Sequence, residues 1–187
     1  IPCYFVLVDD FISHVWLGKG FGIGLFALIG LCLNFYITSV FLPVISFREA
    51  IGLYRKTKYY MLAAALLNVG LSAIFSIKWG MAGILLATPI ARLLTYVWYE
   101  PKILFEEYFE KGAGQFIVQC IKNVFLVTGI SWLCYIIGTH ILVSGIIGWI
   151  LKGCLCGSLS LIITICAYRK TEGFQWLVGQ AKKGLNM

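Results

Sequence analysis

Five long apolar stretches, residues 21–45, 59–77, 80–98, 116–137 and 150–168, fill most of this chain, and their only charges are Arg92, Lys122 and Lys152. About 20 apolar residues in a helix span the roughly 30 Å hydrocarbon core of a bilayer. Helices satisfy their own backbone hydrogen bonds, which an apolar run in lipid requires. With 60% hydrophobic and 12% charged residues and a mean hydropathy of +0.91, the chain has too few polar groups to coat a water-facing surface. The expected fold is an all-α integral membrane protein, a transmembrane bundle over 21–168 with about five membrane helices. The fifth is ambiguous, because 141–151 is also apolar and Lys152 interrupts the run. A long tilted helix and a short membrane-dipping segment followed by a helix both fit.

The opening "IPCYFVLVDD" has no initiator methionine, basic segment or cleavage site of a signal peptide. Residues 1–8 read as the tail of a membrane helix that begins upstream, which makes the chain the C-terminal part of a longer protein. The following "VDDFISHVWLGKG" reads as a loop.

Charge is concentrated between the apolar runs. "FREAIGLYRKTKYY" holds Arg48, Arg55, Lys56 and Lys58; the connection after Trp98 holds Lys102 and Lys111; the tail holds Arg169, Lys170, Lys182 and Lys183. The intervening connections carry only Lys19, only Lys78, or no Lys or Arg. By the positive-inside rule the rich segments, including the C-terminus, face the cytoplasm in a multi-pass membrane protein. The net charge of +7 is thus a topology signal, and nucleic acid is not an expected partner. The tail segment 172–185 places Phe174, Leu177, Val178, Ala181 and Leu185 on one helical face, as an interfacial helix among membrane lipids would; a solvated tail is the plainer reading. Seven cysteines lie mostly within the apolar runs, and their spacing fits no zinc site, so neither a metal nor a cofactor is expected.

Polar residues inside a membrane are costly and face protein or water. Asn68, Ser72 and Ser76 recur every four residues, as either a cavity wall or a small-residue packing seam. Gly80 and Gly83 permit close backbone approach. Pro89 is expected to kink its helix, with Thr88, Arg92, Thr95 and Tyr99 sharing one face. Arg92 either snorkels to the interface or offers its guanidinium fork to phosphate oxygens. Arg48 and Glu49 are expected just after Pro43 ends the first helix, as an anchor or a greeting for an anionic headgroup.

The pattern Arg48 to Leu53, Lys58–Tyr59, Asn68–Ser72, Gly80–Gly83 and Trp98–Pro101 resembles the polysaccharide transporters (Wzx type) of the MATE-like flippase superfamily. The resemblance covers about half of the chain, and "ATPIAR" around Pro89 departs from the Gly-Thr-x-x-Ser-Arg of many relatives. It implies the C-terminal bundle of a two-lobed transporter that partners a separate N-terminal lobe. The implied cargo is undecaprenyl-diphosphate-linked oligosaccharide, flipped between leaflets, and the implied membrane is the inner cell membrane. Candidate substrate contacts are Arg92, Arg48, Asn68 and Thr88. Glu49, Gly52, Pro89, Gly80, Gly83, Glu100 and Pro101 are candidate structural or hinge positions, and the charged stretch becomes a hinge loop.

Rival readings are a MATE-like exporter of a drug or peptidoglycan precursor, and a membrane-embedded glycan polymerase or ligase. An enzyme needs acid, base or nucleophile groups gathered at one face. The outward connections offer only Asp9, Asp10, His14 and His140, scattered over short connections with no long outer loop to organise them, so no enzyme is expected.

Overall fold

The computed structural model describes residues 1–18, 22–109, 112–141 and 145–185. Among these there are helices and turns and no strand. Helix α1 (Pro2–Asp10) runs directly into a π-helical segment (Phe11–Trp16). Then follow α2 (Leu25–Ala50), α3 (Tyr54–Leu94), α4 (Tyr96–Glu107), α5 (Gly114–His140), α6 (Gly145–Tyr168) and α7 (Glu172–Leu185).

Four helical stretches, Leu25–Ala50, Tyr54–Glu107, Gly114–His140 and Gly145–Tyr168, are long and apolar enough to cross a membrane. Their side chains point outward in bulk: Ile77 is 87% exposed, Phe125 75% and Ile147 77%. Such a surface requires a lipid solvent. The protein is a multi-pass, all-α membrane protein.

The second stretch is folded on itself at Gly80, whose φ of 56° and ψ of −133° interrupt α3 in a region that side chains with a Cβ avoid. A Cβ built on Gly83 would lie 2.2 Å from the Phe75 carbonyl oxygen. In an unbroken helix residues that far apart in sequence are separated by about 12 Å. The arms 54–79 and 81–94 therefore run antiparallel as a hairpin. A second break at Thr95 (φ −120°, ψ −100°) separates α3 from α4. Tyr60 and Tyr99 stack at a centroid distance of 3.4 Å near the open end, where Lys56 also pairs with Glu107.

Several expectations are revised. Helix α2 does not stop at Pro43 but continues through it to Ala50, since a membrane helix tolerates a missing N–H when packed against neighbours. Helical dihedrals continue across Pro89, and the non-helical ones fall at Gly80 and Thr95. The charged stretch contains no loop. Gly52 (φ 74°) closes α2, with Gly52 N–H donating to Glu49 O and Leu53 N–H to Arg48 O, both at 3.2 Å. This is a Schellman turn, and α3 begins at once. Asp9, Asp10 and His14 lie in helical turns rather than in a loop. Lys152 sits within α6, a single helix from Gly145 onward. Lys19, Phe21 and Lys111, which entered the reading of the connections, lie outside the described residues, as do the side chains of Lys182 and Leu185.

Packing centres on two clusters. Val6, Ile130, Cys134 and Cys156 join α1, α5 and α6; Ile37, Phe41 and Val97 join α2 to α4. Gly30 lets α2 approach the second arm of α3, where an added Cβ would meet Leu85 backbone at 3.0 Å. Tyr36 Oη donates to Cys120 O at 2.9 Å, tying α2 to α5. Following the chain, the start of α2, Gly80 and the α5–α6 junction share one end of the bundle, and Arg48, Glu107 and Tyr168 share the other.

Candidate functional site

Near the Arg48 end, α2, both arms of α3 and α4 enclose a cavity of about 320 Å³, lined by Arg48, Glu49, Met61, Asn68, Thr88, Arg92, Tyr96 and Glu100 among others. The hairpin produces this convergence. Reversal at Gly80 brings Thr88 opposite Asn68, and the Thr88 hydroxyl donates to Asn68 Oδ1 at 3.3 Å. Ser72 donates to the same oxygen at 3.3 Å. The polar ladder of the first arm thus serves both readings: Asn68 reaches the cavity, while Ser76 bonds back to Ala73 O of its own helix.

Arg48 occupies the last turn of α2, where a cation complements the helix dipole. It is 3% exposed, as is Glu100, and its Nη1 donates to Glu100 Oε1. Nη2 reaches Glu49 Oε1 at 3.4 Å, and Nη1 also lies 3.3 Å from Met61 Sδ. The pair is incompletely satisfied: Arg48 Nε and Glu100 Oε2 are buried without hydrogen-bond partners. Unmatched polar groups in a buried pair weaken it against the cost of desolvation.

Arg92, half-buried on the second arm, donates from Nη1 to Thr38 Oγ1 of α2 at 2.6 Å. Among the described residues no carboxylate lies within ion-pair distance of it. The cavity therefore holds one guanidinium spoken for by carboxylates and one bonded only to a neutral hydroxyl. Both forks have the planar geometry that suits phosphate oxygens.

Of the sequence-derived positions, Arg48, Glu49, Asn68, Thr88, Arg92 and Glu100 meet at this cavity. Gly52, Gly80 and Gly83 shape the backbone around it, whereas Pro89 and Pro101 are buried helix residues. Glu100, one of the structural or hinge candidates, is the carboxylate partner of Arg48, and the non-helical dihedrals between α3 and α4 belong to Thr95.

A second polar cluster, missed from sequence, lies at the opposite end of the bundle. Asp9, Asp10, His14 and Lys152 line a cavity of about 500 Å³ with Phe5, Tyr135 and Trp149. Lys152 pairs with Asp10, Asp9 Oδ1 accepts from Ile23 N–H at 2.9 Å, and His14 Nδ1 is 4.0 Å from Asp10. The available signal was Lys152 itself, since a lysine within an apolar run needs a carboxylate. Among the described residues no three His, Cys, Asp or Glu side chains are placed to hold a metal ion.

The chain matches no protein-family model, no curated protein and no solved structure.

Proposed function

We propose that this chain is part of a flippase that carries undecaprenyl-diphosphate-linked oligosaccharides across the cytoplasmic membrane for surface polysaccharide synthesis. In this reading the Arg48 end faces the cytoplasm and the cavity there receives the diphosphate. The supporting observation is convergence: Arg48, Glu49, Asn68, Thr88 and Arg92, nominated as separate motifs, line one cavity with two guanidinium groups. Arg55, Lys56, Lys58, Lys102, Arg169 and Lys170 lie in segments at the same end, as a cytoplasmic face requires.

The chemistry is recognition rather than bond-making. Arg92 supplies a guanidinium fork free of a carboxylate, and Asn68 and Thr88 offer neutral hydrogen-bonding groups beside it. The test uses cells lacking the full-length gene. Lipid-linked oligosaccharide accumulates on the cytoplasmic leaflet, the intact gene clears it, and the Arg92→Ala gene does not. Absence of accumulation rejects the flippase reading.

A further inference from the structure

The lining of the Arg48 cavity is electrically balanced: two guanidiniums, Arg48 and Arg92, face two carboxylates, Glu49 and Glu100. The carboxylates are not equivalent. Glu49 has a side chain 51% exposed and meets Arg48 at 3.4 Å, whereas the Glu100 side chain is 2% exposed and bonds directly to Arg48. Solvent screens the first and hardly touches the second.

We infer that Glu100 is the specificity-determining residue of this cavity, an internal counter-ion that a ligand must displace, so that the site accepts a phosphate group bearing two or more negative charges and refuses a single charge. The inference rests on the diphosphate reading above. A singly charged group can engage Arg92, which has no carboxylate to give up, but does not repay separating Arg48 from Glu100. A diphosphate spans both guanidiniums and replaces the lost carboxylate.

Two observations point to displacement. Arg48 lines this cavity and its buried Nε has no acceptor, so an oxygen that enters as Glu100 withdraws satisfies a donor that Glu100 leaves unmet. Glu100 Oε2 is likewise unpartnered, so the resident pair forgoes part of its possible stabilisation. The backbone also allows it. Arg92 belongs to α3 and Glu100 to α4, and the Thr95 break lies between them. Glu100 thus stands on a different helix from Arg92, and its withdrawal does not require the second arm of α3 to shift.

The experiment measures binding of farnesyl diphosphate and of farnesyl methyl phosphate, a phosphodiester with a single negative charge, to the full chain in nanodiscs of neutral lipid. Wild type is expected to prefer the diphosphate by about 30-fold, the ratio that one charge-assisted hydrogen bond brings. Glu100→Gln collapses the preference to a few-fold by raising the affinity for the singly charged diester. Glu100→Asp, which retains the charge with a shorter reach, gives an intermediate ratio and decides the matter should the glutamine variant fail to fold. A ratio unchanged in the folded variants, or equal affinities in wild type, overturns the inference while leaving diphosphate binding intact. Loss of all binding in Arg92→Ala with no change of ratio in the Glu100 variants also overturns it. Failure of wild type to bind either probe rejects the diphosphate reading itself, and this inference with it. Repeating the assay with phosphatidylglycerol in the disc separates the two sources of phosphate. Persistence of diphosphate binding agrees with the inference; displacement by this singly charged headgroup overturns it.

Discussion

Lys152 of α6 donates to Asp10 of α1 across 142 residues of sequence, and the two side chains are unequally sheltered, 10% exposed for the lysine and 34% for the aspartate. Removing one partner leaves the other charge alone, and the penalty follows burial. Asp10→Asn strands the deeper charge and is expected to cost about 3 kcal/mol. Lys152→Met leaves an aspartate that water reaches, and costs less. The double variant recovers most of the loss. Thermal unfolding of the four proteins in one detergent checks the order; equal losses for both single variants contradict it.

The hairpin depends on two glycines for different reasons. At Gly83 a methyl group meets the Phe75 carbonyl, so Gly83→Ala must push the arms apart, at a cost of about 1–3 kcal/mol. Gly80→Ala is strained by its positive φ at any size. Gly70, also in α3, has open space and no positive φ. Gly70→Ala should therefore leave stability unchanged or raise it by about 0.5–1 kcal/mol through helix propensity. Melting temperatures of the three variants separate packing from backbone strain.

Arg92 reaches Thr38 through one arm of its fork, and a lysine reproduces its charge but not its planar geometry. On the flippase reading, Arg92→Lys is expected to lower oligosaccharide export in cells by about 30-fold, consistent with loss of one charge-assisted hydrogen bond. Arg92→Ala abolishes export. Thr38→Val, which removes only the hydroxyl, has a milder effect. The readout is lipid-linked oligosaccharide held on the cytoplasmic leaflet, normalised to protein level.

Helix α7 exposes its apolar residues, with Leu177 at 60% and Trp176 at 64%. Its apolar face suits the boundary of headgroups and acyl chains, roughly 5–10 Å below the surface. A spin label at Leu177 should report that depth by oxygen-accessible relaxation, and one at Lys183, on the opposite face, should report water. Equal water accessibility at both positions argues for a solvated tail.

The apolar runs made the helical membrane architecture legible, because only a helix serves such a run in lipid. Asn68 and Arg92 were also legible as polar exceptions in an apolar context, and Arg48 as part of the charged stretch. Their meeting place was not, since it depends on the reversal at Gly80 and on α2 continuing past Pro43. The role of Glu100 was hidden for the same reason: next to Pro101 it looks like punctuation, and only the fold sets it against Arg48. The Asp10–Lys152 pair escaped because each charge was assigned to its own segment, although neither has another partner of opposite sign so near.

The Gly80 reversal makes the two arms of α3 a pair of tweezers joined at the tip far from the Arg48 end. Displacement of one arm against the other grows in proportion to distance from that pivot. Asn68 lies roughly 18 Å along its arm and Lys56 roughly 36 Å, so a given swing of that arm at Asn68 is doubled at Lys56. The stacked tyrosines and the Lys56–Glu107 pair sit where the leverage is greatest, and weak clasps there restrain the arms more effectively than stronger ones near Gly80.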